Sequence, residues 1–346
     1  MKLIPNFPLK EYNTFAIEAT AAYHIDLESV ADAKLLVRDE YFRTIPFLIM
    51  GGGSNLLFVG DFKGAVVHYS GSALEVLRED DEEVILQVGA GHLWHDLVLQ
   101  TAKQGLWGVE NLVLIPGDAG AAAVQNIGAY GREICDVLEA VHTIDLRTGE
   151  ERRMTTDECD YSYRYSIFKS PEMAPVLVTA IELRLSKTPK PCLTYKGLQG
   201  LASETALTPL LIAERVMQIR KSKLPNPKEI PNAGSFFTNP ILREEEFKPL
   251  QEQHPEVPFY KMEKGYKVPA AWLIERVGYK GYRNEKVGTY ELQPLVLINH
   301  GGAEANEVVA FAEEIQDKVR EQYGIALVPE VRYVRSAEQY SIKELS

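Results

Sequence analysis

The sequence predicts a mixed α/β protein of two or three domains. Its 346 residues are more than one ordinary hydrophobic core accommodates. Short apolar runs of strand length, such as residues 45–50, alternate with amphipathic segments of helical period, such as residues 93–104. A basic run at residues 220–223 is followed by Pro225 and Pro227, which cannot continue a helix, and it marks the clearest domain boundary.

Composition excludes several classes of partner. The formal net charge of −12 disfavours nucleic acid and anionic membrane surfaces, since both require basic patches. The three cysteines, Cys135, Cys159 and Cys192, lie far apart, which favours a reducing compartment without a disulfide framework. The seven histidines show no zinc spacing, so no metal site is expected.

Location follows from the apolar runs. Residues 1–15 contain no apolar core of signal-peptide length, and the longest apolar runs are far shorter than a membrane span. We therefore expect a soluble cytoplasmic protein. Nothing in the sequence demands a dimer, so a monomer is expected.

Residues 1–70 are predicted to form a small first unit. A helix is predicted at residues 29–41, followed by a buried strand at residues 45–50. That strand runs into Gly51-Gly-Gly-Ser-Asn55, where backbone N–H groups could meet a phosphate. A plain β-turn is the alternative, but three consecutive glycines favour close approach of a ligand.

Residues 71–131 lead to the most unusual stretch. A hairpin is predicted from the runs at residues 74–77 and 84–88, followed by the helix at residues 93–104. Residues 114–131 contain four glycines and five alanines, with Asp118 as the only charge. The stretch lacks both the P-loop ending and the dinucleotide fingerprint. An anion-binding turn and a buried tight turn packed against a helix are equally compatible with it.

The middle of the chain returns to strands, predicted at residues 137–145 and 176–185. Between them, Arg164 lies among three tyrosines. An exposed strand with cation–π packing explains this pattern, and so does an arginine held in an apolar site to meet negative charge. Sequence alone favours the exposed strand. A polar loop at residues 186–203 carries Tyr195, and a helix is predicted at residues 207–220.

The last third of the chain is predicted to be another α/β unit. Its members are helices at residues 244–253, 269–277 and 305–323 and strands at residues 295–298 and 325–334. The final strand contains Glu330 between apolar residues. An outward-facing charge is the default interpretation, because an unpaired buried carboxylate is costly.

Taken together, eight motifs in one order resemble a known family, the UDP-N-acetylenolpyruvoylglucosamine reductases. They are Asn13-Thr-Phe15, Gly51-Gly-Gly-Ser-Asn55, Ile115-Pro-Gly117, Gln125-Asn-Ile-Gly-Ala-Tyr-Gly131, Tyr163-Arg-Tyr-Ser-Ile-Phe168, Ser222-Lys-Leu-Pro225, Ala233-Gly-Ser-Phe-Phe237 and Pro329-Glu-Val-Arg332. The resemblance covers nearly the whole chain. The Tyr195 loop is similar to that of the subclass which closes a tyrosine over its substrate.

The resemblance implies an α+β fold with a two-part FAD-binding region of the vanillyl-alcohol-oxidase/PCMH type. The FAD-binding parts would span residues 1–70 and 71–222, and a substrate-binding domain would span residues 223–346, its last strand returning to the active site. In this family NADPH reduces FAD, whose N5 passes hydride to C3 of an enolpyruvyl ether of UDP-N-acetylglucosamine. The product is UDP-N-acetylmuramate, a precursor of peptidoglycan.

The resemblance also implies three catalytic residues. Arg164 would stabilise the enolate formed on the substrate. Glu330 would assist as a protonated donor or by orienting Arg164. Ser235 would give the proton to C2.

Binding residues are implied in the same way. Those for FAD are Gly51, Gly52, Gly53, Ser54, Asn55, Pro116, Gly117, Gly120, Gln125, Asn126, Gly128, Ala129, Tyr130, Arg220 and Arg332. Those for the substrate are Tyr195, Lys223, Asn239, Tyr260, Lys267 and Gln293.

The sequence departs from the family pattern at a few positions, among them Ala271 before Trp272, where glycine is common, and two positions at which the charge differs. Asp118 stands where serine or threonine is frequent, and a carboxylate there must point away from a pyrophosphate or pair with a cation. Thr238 replaces a lysine that is frequent in the subclass. The competing hypotheses are an oxidase of the same broad fold and a non-catalytic nucleotide-sugar binder, and the latter would need no proton donor.

Overall fold

The computed structural model describes residues 1–336, 339, 341 and 342. The end of the predicted third domain, at residues 337, 338, 340 and 343–346, lies outside the described residues.

The first part of the chain forms a four-stranded sheet in the order β1-β2-β5-β3. Strand β1 is antiparallel to β2, while β5 is parallel to both β2 and β3. The elements are β1 (Lys2–Pro8), β2 (Thr20–Leu27), α1 (Val30–Val37), β3 (Phe47–Ile49), β4 (Leu56–Phe58) and β5 (Phe62–Tyr69). Helix α1 begins after Ser29, whose hydroxyl accepts a hydrogen bond from the Asp32 amide. It is shorter than predicted because a separate 3₁₀ turn occupies Phe42–Thr44.

The second part forms a five-stranded antiparallel sheet in the order β11-β10-β12-β7-β6. Helix α2 buries Trp94, Leu97 and Val98 on one face, as its periodicity predicts, and its C-terminus is followed by Gly105 at φ 78°. The elements are β6 (Leu74–Glu79), β7 (Glu83–Gly89), α2 (Trp94–Lys103), α3 (Ala119–Gln125), β8 (Gly128–Ala129), β9 (Arg132–Glu133), β10 (Leu138–Asp145), β11 (Glu151–Thr155) and β12 (Val176–Ser186).

The third part packs two small sheets, β13-β18-β17 and β14-β16-β15, with helices. Helix α7 has the predicted bounds and buries Val308, Ile315 and Val319 on one face. Helix α4 (Pro209–Lys221) still belongs to the second part, where its buried face packs against α2. The elements of the third part are β13 (Asn232–Ser235), β14 (Ile241–Leu242), α5 (Glu244–Gln253), β15 (Tyr260–Met262), β16 (Gly265–Lys267), α6 (Ala270–Arg276), β17 (Val287–Tyr290), β18 (Gln293–Asn299), α7 (Ala305–Tyr323) and β19 (Arg332–Val334).

The end of the chain returns to its beginning. Strand β19 pairs in parallel with β4, with Arg332 opposite Leu56. The predicted strand at residues 325–334 is therefore wrong in extent, because only Arg332–Val334 is a strand. Pro329 lacks the amide hydrogen that a longer ladder would need, and it forms only an isolated bridge with Phe237.

The exposed strand favoured for residues 161–169 is also wrong. Ser162 and Tyr165 exchange backbone hydrogen bonds across a tight turn, and a 3₁₀ turn follows at Ile167–Lys169. The buried Ser166 hydroxyl donates to the Val124 carbonyl at 2.7 Å. This bond ties the turn to helix α3, so the segment is folded inward rather than laid along a sheet edge.

Across the part of the chain that the structure describes, none of the helices combines the length and the apolar character needed to cross a bilayer.

The side chain of Asn13 connects the two ends of the segment between β1 and β2. It is 4% exposed, donates to the carbonyls of Leu9 at 2.7 Å and Ile17 at 3.1 Å, and accepts from the Ile17 amide at 3.0 Å. We expect Asn13→Ala to lower the free energy of unfolding by about 2 kcal/mol, because buried backbone groups lose their partners. Urea unfolding measures this. Asn306→Ala, on the exposed face of α7, is the control, and equal effects of the two substitutions would contradict the prediction.

Candidate active site

The glycine- and alanine-rich stretch forms a short helix, α3, followed by a left-handed turn. Neither of the two predicted forms, an anion-binding turn and a buried tight turn packed against a helix, describes the stretch fully, because part of it is itself helical. Asn126 ends the helix at φ 43° and is fully buried. Its amide donates to the Ser162 carbonyl at 2.8 Å and to Glu133 Oε2 at 3.0 Å. The Asn126 side chain thereby fixes the turn against the segment that carries Arg164.

Arg164 points into this turn. Its Nη2 donates to the Gly128 carbonyl at 2.8 Å and its Nη1 to the Asn126 carbonyl at 3.4 Å. A Cβ atom at Gly128 would lie 3.2 Å from Arg164 Nη1, so glycine gives the guanidinium its space. The Arg164 backbone is left-handed, with φ 56°, which costs free energy and requires support from neighbours.

Glu330 faces Arg164, so the outward-facing interpretation of this carboxylate is wrong. Its Oε1 lies 3.1 Å from Arg164 Nε, and the Glu330 side chain is 17% exposed. The Glu330 amide donates to the Phe236 carbonyl at 2.8 Å, and Asn55 donates to the Glu330 carbonyl at 3.0 Å. Burial raises the pKa of Glu330 above its usual value, while the charges of Arg164 and Lys169 lower it.

Ser235 reaches the same region from the third part of the chain. It is the last residue of β13, which places it next to Phe236, the residue that accepts from the Glu330 amide. Its Cα pairs with Val296 of β18. Glycine precedes it at φ 71°, so the strand ends in a turn at the serine. Arg164 and Glu330 are therefore joined by an ion pair, and Glu330 is linked to the neighbour of Ser235 by a backbone hydrogen bond.

Two residues near Arg164 were missed as site residues. The Lys169 ammonium donates to the Arg164 carbonyl at 2.7 Å and supports its left-handed backbone. The Tyr163 ring lies 5.7 Å from the Arg164 guanidinium carbon and 4.7 Å from Lys267 Nζ. Their position inside the Tyr-Arg-Tyr-Ser-Ile-Phe-Lys run was the available signal.

The loop at residues 51–55 meets the beginning of the glycine-rich stretch. Ser54 Oγ donates to the Pro116 carbonyl at 3.4 Å. A Cβ atom at Gly52 would lie 3.2 Å from Gly117 Cα, and one at Gly53 would lie 1.9 Å from the Tyr12 carbonyl oxygen. Bulkier residues would close this concave surface, so its glycines serve close backbone approach.

Gly120 has a different role, which is packing. A Cβ atom there would lie 2.7 Å from that of Ala90, and the Gly120 amide donates to the Ala90 carbonyl at 2.9 Å. Gly51 is similar, since its added Cβ would lie 3.0 Å from Ala121 Cβ.

Tyr195 contacts Lys223 and Tyr130. Its hydroxyl accepts from Lys223 Nζ at 3.1 Å, and its ring packs edge-on against Tyr130 at 4.7 Å. Arg220, at the end of α4, lies by Tyr130 and has a buried Nε atom without a hydrogen-bond partner among the described residues. Burial lowers the pKa of Arg220, and Tyr130 opposes this effect.

Asn239 and Lys267 meet at Tyr163, and Tyr260 lies beside Lys267. Asn239 Nδ2 donates to the Tyr163 hydroxyl at 3.3 Å, and Lys267 Nζ lies 5.6 Å from the Tyr260 ring centre. Burial lowers the pKa of Lys267. Gln293 is the first residue of β18.

Ala129 and Arg332 are two further residues that were predicted to bind FAD. Ala129 pairs with Arg132 in the short β8-β9 ladder. The Arg332 amide donates to the Asn55 carbonyl at 3.0 Å, and its guanidinium donates to Gln339 Oε1 at 3.1 Å.

The arrangement fits a flat, anionic group of flavin nucleotide type. Gln125 Oε1, Gln293 Oε1 and Arg220 Nε are buried and have no hydrogen-bond partner among the described residues. Such groups are costly unless a ligand satisfies them. Clusters of three or more residues able to hold a metal ion are absent from the described residues.

Comparisons with known proteins give the family. A model described as UDP-N-acetylenolpyruvoylglucosamine reductase, C-terminal domain, matches residues 226–334, and one described as FAD binding domain matches residues 21–155. The reductase of that name from Porphyromonas gingivalis is 45% identical over 337 residues, covering 96% of this chain and 100% of the relative. The one from Amoebophilus asiaticus is 42% identical over 339 residues, covering 97% and 100%.

A solved structure of the reductase from Thermus caldophilus aligns with a TM-score of 0.67 at 23% identity, covering 96% of this chain and 98% of that one. The predicted α+β fold, with an FAD-binding region of vanillyl-alcohol-oxidase/PCMH type and a C-terminal domain, is confirmed. So are the family resemblance and the prediction of FAD as cofactor.

The raised pKa of Glu330 has a consequence for stability. A carboxyl whose folded pKa is raised destabilises the protein once pH exceeds that pKa, because ionisation is then favoured in the unfolded chain. We expect Glu330→Gln to raise the unfolding temperature by about 2 °C near neutral pH and to lose this gain in acid. Thermal unfolding followed by circular dichroism at both pH values measures this.

Glu307→Gln is the control, and its expected change in stability has the opposite sign. Its pKa is lowered by the Glu304 backbone amide and by Lys286, so its ionised form is favoured in the folded chain. Its replacement should reduce stability at neutral pH and should have less effect in acid. If the Glu330→Gln protein is less stable than the parent at neutral pH, this would contradict the conclusion that the ionised Glu330 carboxylate destabilises the fold.

Proposed function

The chain belongs to the UDP-N-acetylenolpyruvoylglucosamine reductase family, and we propose that it reduces UDP-N-acetylglucosamine enolpyruvate to UDP-N-acetylmuramate with NADPH as the electron source. It is a flavin-dependent oxidoreductase that uses FAD. The proposed reaction belongs to peptidoglycan synthesis. We further propose that the protein works as a cytoplasmic monomer on small-molecule substrates.

The observation that best supports this function is the meeting of Arg164, Glu330 and the Ser235 turn. These residues come from three distant segments, and the contacts described above bring the segments together. A nucleotide-sugar binder would gain nothing from a desolvated carboxylate facing an arginine held in a left-handed backbone. An enzyme that stabilises a developing carboxylate charge and delivers one proton would use both.

FAD would lie across the loops of the first two parts, which we propose as FAD-binding domains of residues 1–70 and 71–222. The backbone of residues 51–53 and Gly117 would meet the diphosphate, and Arg220 would supply a cation near the flavin. When bound, FAD supplies a hydride that it accepts from NADPH and transfers to C3 of the enolpyruvyl group.

Arg164 would bind the substrate carboxylate. Its hydrogen bonds to the Asn126 and Gly128 carbonyls occupy two of the five guanidinium donors, and Nε faces Glu330. The remaining donors are fixed in direction by those bonds. They would stabilise negative charge as it develops on the carboxylate, without reorganisation at the moment of reaction.

Before the substrate binds, Glu330 would orient Arg164. The 3.1 Å separation from Arg164 Nε supports this role. Burial favours its protonated form, and a protonated Glu330 could also donate a hydrogen bond to the enolate.

Ser235 would protonate C2 of the substrate enolate. A serine hydroxyl is a weak acid, but a carbanion-like enolate is a strong base, so transfer is feasible once the two are positioned. The substrate-binding domain, proposed as residues 223–346, would place the serine over the flavin.

The nucleotide part of the substrate would lie under Tyr195 and beside the cations of the third part. Lys223 and Lys267 offer positive charge to a diphosphate, which lets a chain of net charge −12 bind a dianion. Asn239, Tyr260 and Gln293 would add hydrogen bonds and ring contacts in the same cleft.

Anaerobic flavin absorbance tests the proposed function. Purified protein with bound FAD should lose its oxidised flavin band on addition of NADPH and regain it promptly with UDP-N-acetylglucosamine enolpyruvate. Loss of the band without its return would retain the flavoenzyme but reject this substrate. Such a result would favour an oxidase-like activity instead.

The proton-donor role of Ser235 gives a sharper prediction. We expect Ser235→Ala to leave flavin reduction by NADPH nearly unchanged but to slow flavin reoxidation by the substrate about 10²-fold to 10⁴-fold. Stopped-flow absorbance resolves the two half-reactions. Ser203→Ala, on the exposed turn before α4, is the control and should alter neither rate. Equal slowing of both half-reactions in Ser235→Ala would show that the serine does not act as the proton donor.

A further inference from the structure

An unusual group of charges lies directly behind the loop of residues 51–53. The Asp118 side chain is buried, and its Oδ2 would lie 3.2 Å from a Cβ atom at Gly51. The same carboxylate lies 3.5 Å from His68 Nε2, and the other nitrogen of that ring, Nδ1, lies 3.1 Å from Asp26 Oδ1. His68 therefore bridges two carboxylates, one of which touches the glycine loop.

These residues line a cavity of about 400 Å³ that includes Gly51 and Gly52. The other titratable or charged groups facing it are His24 and Asp26 from β2, Lys2 from β1, and Glu11 and Tyr12 from the 3₁₀ turn that follows β1.

The two histidines of the cavity differ in how readily they take up a proton. The Asp118 carboxylate, with help from Asp26, holds the pKa of His68 above its usual value despite burial. Burial, and then the charge of His68, lowers the pKa of His24, whose ring stacks on Phe7 at 4.2 Å. His68 is therefore the ring of the pair that takes up a proton more readily, and His24 is the ring that takes it up less readily.

A carboxylate at this place opposes a diphosphate. FAD keeps two negative charges on its diphosphate across the neutral range, and the loops at residues 51–55 and 116–120 are the proposed diphosphate cradle. Asp118 belongs to the second of these loops, and its side chain faces Gly51 of the first. Its buried Oδ2 has His68 Nε2 at 3.5 Å as an ion-pair partner but accepts no hydrogen bond from the described residues. Electrostatic repulsion between the Asp118 carboxylate and the diphosphate is strong unless a nearby cation offsets it.

We propose that His68 is the residue that makes the Asp118 site compatible with FAD: its protonated ring pairs with Asp118 and so makes FAD binding pH-dependent. The proposal rests on the diphosphate placement given under the proposed function. It assigns to His68 a binding role through electrostatics, and to the Asp26 carboxylate the role of holding the other ring nitrogen.

The direction of the pH effect follows from linkage. A bound diphosphate stabilises protonated His68, so its pKa is higher with FAD than without it. FAD binding then takes up a proton, and affinity falls as pH rises through the pKa of His68. Neutral His68 would leave two carboxylates beside the bound diphosphate.

The experiment measures FAD release from the holoprotein, by free-flavin fluorescence on dilution, between about pH 6 and about pH 9. We expect the dissociation constant of the parent protein to rise about tenfold over this range. In His68→Gln, FAD should bind about tenfold more weakly at the acidic end, with a dissociation constant nearly independent of pH.

Asp118→Asn provides a second variant, which relieves like-charge repulsion and does not depend on His68→Gln being stable. It should bind FAD at high pH as tightly as the parent does at low pH, and adding His68→Gln to it should change little. His254→Gln, at a histidine 4.0 Å from Glu256 in the third part, is the matched control and should keep the parental profile.

Two results would overturn the proposal. One is a full parental pH dependence in His68→Gln, and the other is a loss of affinity in that variant that is equal at every pH. Gly52→Val tests separately whether the diphosphate lies at this loop, because the valine side chain narrows the gap between residue 52 and Gly117. If Gly52→Val leaves FAD affinity unchanged, the diphosphate does not lie here, whatever the flavin assay shows about substrate.

Discussion

The hydrogen bonds around Glu330 hold the candidate site together. The Glu330 amide is bound by the carbonyl of Phe236, and its own carbonyl is bound by Asn55. These two bonds join the turn after Ser235 to the loop of residues 51–55, with Glu330 between them. The carboxylate can face Arg164 only because its backbone is fixed on both sides. The approach of the Ser235 turn to Arg164 depends on this junction.

The sequence predicted regular elements well and the site segments poorly. Helices α2 and α7 and the hairpin β6-β7 follow from periodicity alone, because burial on one face decides them. The segment around Arg164 was mispredicted because its conformation depends on remote partners: Ser166 bonds to Val124, and Lys169 supports a left-handed backbone. Glu330 was taken as outward-facing for the same reason, since its partner lies far away in sequence. The ordered motifs identify the family, and charge repulsion predicts that Asp118 points away from a pyrophosphate or pairs with a cation. The sequence does not indicate that His68 lies beside it, because the two residues are far apart along the chain.

Charge placement is the second theme of the structure. The surface is acidic overall, yet Arg164, Arg220 and Lys267 are drawn into partly buried positions around the cleft. Burial of cations is unfavourable in an empty site and becomes favourable when anions enter. The glycine loops work in the same sense, because they offer backbone donors without side chains to block approach. Stability of the empty protein is therefore reduced in the region where ligands are held.

The parallel pairing of β19 with β4 also bears on how the protein is made. A ribosome completes β4 early, but its partner strand is synthesised only after the whole of the third part, including helix α7. Nascent chains therefore expose an unpaired strand edge at β4 until the ribosome has passed residue 334, and such edges invite mispairing. Interrupted translation upstream of residue 330 would yield polypeptides with intact first and second sheets but no completed catalytic cleft. The active site thus cannot assemble before the third part of the chain has been synthesised.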